Sequence, residues 1–184
     1  MVGDQGGPFS YPGDYFSAEA PEKYKIKGSF GHPVPVVDGK TQSSGAKASA
    51  IVLKKEFTDV KDLLCIDYTS AYSTPSLDKL VRTFVYDRQG KGSFTVGDEF
   101  TANAPIRFET AITTQANWKI IDDTHLLLTT GTEQMTVTIE ASGKVAFTSE
   151  TIEVNSPAYT RIGISLKEQS KDGYIRLTMR TKQL

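Results

Sequence analysis

The residue types that build most catalytic and metal centres are nearly missing from this sequence. Its 184 residues include one cysteine and two histidines. A single thiol, Cys65, excludes an internal disulfide framework and a zinc cluster built on cysteines. Two imidazoles, His32 and His125, exclude a metal site assembled mainly from histidines of this chain. An excess of charge of one sign is missing as well: 21 Lys and Arg stand against 22 Asp and Glu, a formal net charge of −1. That balance removes the electrostatic footprint of a nucleic-acid or anionic-membrane binder, so neither partner is expected. No run approaches the roughly 18 apolar residues of a membrane-spanning helix. Residues 1–20 carry neither the basic region nor the apolar run of a secretory signal. There is no Ser/His/Asp pattern, Walker motif or HExxH. The glycine-rich stretch Gly3 to Gly7 runs into Pro8 with no helix or lysine behind it, so it does not read as a phosphate loop.

What is present favours pleated structure. Val, Ile and Thr together supply 45 residues, and β-branched side chains suit a half-buried sheet. An apolar fraction of 38% with 10% aromatics is too high for a disordered chain. From Ala46 onward, short alternating runs are separated by turn signals: residues 49–57, 62–68, 80–86, 93–100, 106–114, 117–121, 125–130, 134–140, 144–154, 161–167 and 174–180. Asp87 to Gly92 suits a hairpin loop between two of them. Further turns are expected at Asp122-Asp123, Gly131, Ser142-Gly143, Asn155-Ser156-Pro157 and Lys171-Asp172-Gly173. Of these, Ser142-Gly143 and Asp172-Gly173 supply positive-φ positions. The best helical candidate, Lys55 to Leu64, splits naturally into strand, turn and strand. The pattern predicts an all-β, antiparallel two-sheet sandwich of about ten strands. No repeat or low-complexity tract interrupts it.

The first 45 residues differ, holding five of the eight prolines and eight of the fifteen glycines. They read as a loop-rich segment lying over the sandwich or along its edge, within a single domain spanning 1–184. Asp38-Gly39, between short arms at Val34 to Val37 and Lys40 to Gln42, signals a type I′ hairpin. His32 sits in SFGHPVPVVDGKTQ, where Pro33 biases it toward extended backbone. An imidazole on an irregular segment fixed by a hairpin suits a metal or catalytic role, and a lone structural histidine is the alternative. His125 is read as a surface or capping residue opening a strand, and Cys65 as a buried, inert thiol. The aromatics Phe9, Tyr11, Tyr15, Phe16 and Tyr24 either flank a sugar ring or plug the end of the sandwich.

GDQGG, the aromatic loop, Tyr24 and then GHPVPVVDGKTQ together resemble the β-domain of the heparinase II/III-like polysaccharide lyases. LVRTFVYDRQGKGSFTVGDEF is similar to that family's paired strands, in which an Arg-bearing strand leads through a short loop into a V-x-D strand. The resemblance covers roughly residues 1 to 115. It implies a parent protein in which an α/α toroid precedes the β-sandwich, with an acidic polysaccharide bound between them and cleaved by β-elimination at a uronic acid. In that reaction a base removes the C5 proton and a tyrosine protonates the leaving oxygen.

The resemblance also implies a zinc site shared by an HxH segment, an aspartate and a later histidine. Asp4 and His32 match the last two, Tyr15 matches a cleft-facing tyrosine and is the candidate catalytic residue, and the parent is expected to be periplasmic or secreted. The HxH segment and the toroid would lie upstream of Met1, and the opening Gly/Pro/Tyr loop reads as a cut inside a longer chain. Two ligands do not close a structural zinc shell. The expectation is therefore an inactive, cofactor-free fragment of a lyase that uses zinc only when whole. The alternative is a stand-alone carbohydrate-binding or adhesion sandwich.

Overall fold

The computed structural model describes residues 1–4, 7, 10–152 and 158–182. Twelve strands build it: β1 (Val36–Val37), β2 (Ile51–Phe57), β3 (Lys61–Asp67), β4 (Leu77–Asp87), β5 (Ser93–Ile106), β6 (Phe108–Thr114), β7 (Asn117–Asp122), β8 (His125–Thr130), β9 (Glu133–Ala141), β10 (Val145–Ile152), β11 (Tyr159–Leu166) and β12 (Ser170–Lys182). The expected two-sheet antiparallel sandwich is what forms, with twelve strands among the described residues rather than about ten. Eight strands make one sheet, in the order β2-β3-β4-β5-β12-β9-β8-β7, and four make the other, β1-β6-β11-β10.

Alternation along the strands places the core. Leu80, Phe100, Leu126, Leu128, Val137, Ile139, Ile175 and Leu177 project from the large sheet, and Phe108, Ile112, Ile162, Ile164 and Leu166 meet them from the small one. Phe100 and Phe108 stack across the gap with ring centroids 4.6 Å apart. The chain crosses between sheets through a single residue, Arg107, whose N–H donates to Asp38 Oδ1 at 2.8 Å while its carbonyl accepts from Asp38 N at 2.9 Å. Asp38 and Gly39 have φ of 50° and 75°. The 2.9 and 3.0 Å bonds between Val37 and Lys40 close the expected Asp-Gly hairpin, though its arms are shorter than predicted.

Two turn expectations fail. Lys171-Asp172-Gly173 lies inside β12, and the reversal comes earlier, between Leu166 and Ser170. Gly173 is there for space: a Cβ on it would sit 2.7 Å from Ser142 Oγ and 3.0 Å from Phe100 Cε1. Gly143 does lie in a turn, but without positive φ, whereas Gly131, Gly90 and Gly92 adopt it. The Asn155-Ser156-Pro157 turn and the end of the 144–154 run fall outside the described residues. So do Gln5, Gly6 and Phe9 of the leading segment.

Residues 10–32 cover part of the outer face of the small sheet. Tyr15 and Ile26 pack there against Ile152 and Tyr159, with Tyr24 and Phe30 at the margin. The segment carries one short helix, α1 (Ala20–Lys23), opened by a proline in its first turn, and a 3-10 turn at Ser29–Gly31.

Candidate functional site

Asp4 and His32, 28 residues apart, come together. His32 Nδ1 lies 2.9 and 2.8 Å from the two carboxylate oxygens of Asp4. Asp4 is held because the chain before it extends the small sheet: Val2 bridges Thr114, and Gly3 N donates to Thr113 O at 3.2 Å. His32 is held from both sides. Gly31 N bonds Lys25 O at 2.9 Å, and a Cβ on Gly31 would lie 2.7 Å from Ile26 Cα, so only glycine fits the close approach. His32 itself is extended, φ −114° and ψ 162°, as expected before Pro33. Its Nε2–H donates to Ile26 O at 2.9 Å.

The motif GHPVP has two prolines that donate nothing to a ladder, and its alternate carbonyls are served by side chains instead. Gly31 O accepts from the Tyr159 hydroxyl at 2.8 Å, Pro33 O from Arg82 Nη1 at 2.8 Å and Pro35 O from the Tyr72 hydroxyl at 2.8 Å. Burial, with the Asp4 charge second, pushes the Tyr159 hydroxyl up to about 12. Beside the pair lies a cleft of about 400 Å³ whose polar walls include Lys27, Ser29, Gln42 and Ser43.

The donor set bears on zinc. The bond from Nε2–H to the Ile26 carbonyl orients the imidazole so that Nδ1 faces the Asp4 carboxylate, which is how an outer partner aims a metal-binding histidine. These are two donors of the kind zinc takes, and among the described residues no three His, Cys, Asp or Glu side chains are grouped so that they could hold a metal ion. The pair therefore fits as part of a shell, not as a whole one.

The structure places Tyr15 beneath other aromatics. Its residue exposure is 6%, and its ring contacts Tyr11, Phe16 and Tyr24 at centroid distances of 5.0, 5.4 and 5.5 Å. Burial raises the pKa of its hydroxyl. The outermost members are Tyr11 and Phe16, exposed at 56% and 75%. Tyr15 and Tyr24 thus pack on the outer face of the small sheet, with Tyr11 and Phe16 over Tyr15. His125 opens β8 at a part-exposed position, with Nδ1 2.9 Å from Asp122 Oδ1; the backbone N–H of this turn, from Thr124, is taken by Asp122 and not by His125. Cys65 is half-buried rather than buried, and accepts a bond from Thr83 Oγ1 at 3.5 Å.

A feature that sequence reasoning left without a role supports the site from below. Arg82 and Asp98 face each other across the β4–β5 hairpin and pair in two places, Nε to Oδ1 at 2.7 Å and Nη2 to Oδ2 at 2.8 Å. Tyr68 and Thr110 hydroxyls each donate to the same carboxylate at 2.7 Å. Burial alone would lower the Arg82 pKa, but the Asp98 carboxylate reverses this and the net shift is upward. Burial raises the Tyr68 hydroxyl well above its ordinary range, with the Asp98 charge adding to it. The signal was in the sequence to within one residue of register: a hairpin closed by Asp87 and Ser93 sets Arg82 opposite Asp98.

Fold and site together describe a two-sheet sandwich whose leading segment presents an Asp–His pair on the small sheet. No protein-family model matches the chain, and no curated protein matches it. Solved structures do. Over 97% of this chain, the heparan sulfate lyase HepC from Pedobacter heparinus superposes with a TM-score of 0.74 at 14% identity. A heparinase III gene product superposes over 96% with a TM-score of 0.74 at 12% identity, and a further heparinase III over 91% with 0.69 at 15%. The chain has a heparinase-like β-domain fold, and at these identities the likeness is one of fold. It spans only 28%, 27% and 26% of those three chains, respectively.

Proposed function

We propose that this chain is the β-sandwich domain of a heparinase II/III-like polysaccharide lyase. In the whole protein it would brace a catalytic α/α toroid and form one wall of a cleft for an acidic polysaccharide, cleaved by β-elimination in the periplasm or outside the cell. The observation that carries this reading is the meeting of Asp4 and His32 at 2.8 Å on a heparinase-like fold. Both residues were singled out by the family's motifs, and they are distant in sequence. The exposed aromatics Tyr11 and Phe16 supply the apolar surface that a neighbouring domain would cover.

In the parent protein Asp4 and His32 would hold zinc together with ligands from outside these residues. Zinc bound there would fix the leading segment to the rest of the lyase. Lys27, Ser29, Gln42 and Ser43 would hold the acidic sugar by hydrogen bonds and charge. Tyr15 can reach a glycan only when Tyr11 and Phe16 move aside, as docking of the toroid would require.

The test is to incubate the full-length parent with heparan sulfate and with polyuronides, and to follow the ultraviolet absorbance of unsaturated products. Product should form, Tyr15→Phe should lower its rate, and His32→Ala should remove stoichiometric zinc. The 184-residue chain alone should yield no product and carry little metal. Failure of the parent on every acidic glycan overturns the lyase reading, and low-micromolar stoichiometric zinc on the isolated chain overturns the shared-site reading.

A further inference from the structure

A second, larger cleft opens where the two sheets part. The small sheet is four strands wide and the large one eight, so part of the large sheet's inner face lies bare near the β4–β5 hairpin. The resulting cavity is about 480 Å³, within the range of small-molecule sites. Phe84, Tyr86, Phe94, Val96, Met135 and Met179 line it. Phe84 and Phe94 stack at 6.4 Å, and Tyr86 and Phe94 remain 45% and 39% exposed, so considerable aromatic surface is left for a ligand to cover. Methionine lets such a wall adapt to its guest.

The polar groups are few. Arg82 reaches the cavity already neutralised by Asp98, and the Asp4 carboxylate is engaged with His32. The neighbouring cation on the hairpin loop, Arg88, is paired with Asp62 at 2.5 Å. Lys91, from the same loop, lines the cavity beside Ser93 and forms no ion pair among the described residues. One ammonium without an ion pair and the Ser93 and Thr181 hydroxyls, beside an apolar trough, match a ligand with an anionic head and an apolar body. They do not match a sugar, which needs hydrogen-bonding groups along its length.

We propose that this cleft binds a medium-chain anionic amphiphile, with its carboxylate on Lys91 and Ser93 and its alkyl chain over Phe84, Phe94, Met135 and Met179. The site adjoins the Asp4–His32 cleft, Asp4 standing at the border of both, but its apolar trough lies between the sheets, and the proposal stands whether or not the chain belongs to a lyase.

Decanoate is the test ligand, with decyltrimethylammonium and decanol as its charge-reversed and neutral counterparts. The chain has three methionines, two of them in the cleft, so carbon-13 methionine-methyl NMR reads occupancy directly. Decanoate should bind one-to-one below its micellar range and shift the Met135 and Met179 methyls. Lys91→Glu, a change in an exposed loop, should weaken binding roughly tenfold. Val96→Phe should fill the trough and abolish it; should that variant not fold, Lys91→Glu and the methyl shifts decide alone. Four results overturn the proposal: no saturable binding, shifts confined to other residues, equal affinity for the cation or the alcohol, or an unchanged affinity in Lys91→Glu. A full-length parent that excludes decanoate while protecting both methyls also overturns it, because the cleft is then a packing surface for protein.

Discussion

Arg82 and Arg161 are both nearly inaccessible, at 6% and 2% exposure, yet their surroundings differ. Arg82 lies between the sheets, doubly bonded to Asp98, and a third nitrogen serves Pro33 O. Arg161 lies on the outer face of the small sheet under the leading segment. Its Nη1 reaches Glu109 at 2.7 Å, while Nε and Nη2 find no partner among the described residues. The Phe30 ring covers it, 4.3 Å from the guanidinium carbon. Glu109 reaches it over Gly163, where a Cβ would come within 2.7 Å of the Glu109 carboxyl carbon. The first pair is a closed network on adjacent strands. The second is an open one, capped by an irregular loop. Burial of charge alone is therefore a poor guide to what an ion pair contributes; the number of satisfied donors decides it.

The largest break in this comparison should come from Asp98→Ala. It strands a buried guanidinium together with the Tyr68 and Thr110 hydroxyls, and should destabilise the chain by about 3–5 kcal/mol in denaturant titration. Replacing both partners, Arg82→Met with Asp98→Leu, should recover much of that loss, because no buried charge remains. A double variant as unstable as Asp98→Ala would show that the network does more than satisfy itself.

How far the two arginines were legible follows from their partners. The expected loop of residues 87–92 would set Arg82 opposite Gly97; the hairpin instead closes one residue later, at Asp87 and Ser93, which brings Asp98 opposite Arg82, so the pairing was legible only to within one residue of register. Arg161 and Glu109 are 52 residues apart on strands that are not sequence neighbours, so no local pattern pairs them. His32 stood out by its place before Pro33 on an irregular segment, but Asp4, and the pairing of the two, were reachable only through family resemblance, since residues 28 apart carry no spacing signal. Gly173 misled for a physical reason: a glycine kept for space and a glycine kept for a turn are the same letter. The unequal division into eight and four strands was hidden as well, because alternation reports that a face is buried but not which sheet buries it.

Between the two arginines runs the His32 motif, with Phe30 on Arg161 and Pro33 O on Arg82. Gly31→Ala should disturb both at once. Its Cβ meets the Lys25 carbonyl and the Ile26 Cα, which are backbone and cannot rotate away. A cost of about 1–3 kcal/mol is expected, with amide shifts at both Thr110 and Thr113 in NMR spectra. Shifts on one side only would show the two networks to be uncoupled.

Alkaline pH gives a smaller effect of known sign. The Tyr159 hydroxyl is pushed from 10.0 to about 12, chiefly by burial. The folded chain therefore holds its proton in a range where the unfolded chain has released it. Stability should be complete below pH 10, fall as pH rises toward 12 and be lost more slowly in Tyr159→Phe. The variant itself should cost about 1 kcal/mol at neutral pH through the bond to Gly31 O. An ultraviolet difference titration in which every tyrosine ionises near pH 10 without unfolding would contradict this.

Arg161→Met is the smallest expected change and tests the comparison most directly. The substitution removes a charge pair, but it also removes two buried N–H donors that go unserved and keeps apolar bulk beneath Phe30. Glu109, whose side chain is 20% exposed, can recover hydration from solvent, as Asp98 at 1% cannot. The opposing terms should leave stability within about 1 kcal/mol of the parent chain. A loss as large as that of Asp98→Ala would mean that Arg161 is fully bonded in solution, with ordered water serving Nε and Nη2 beneath the leading segment.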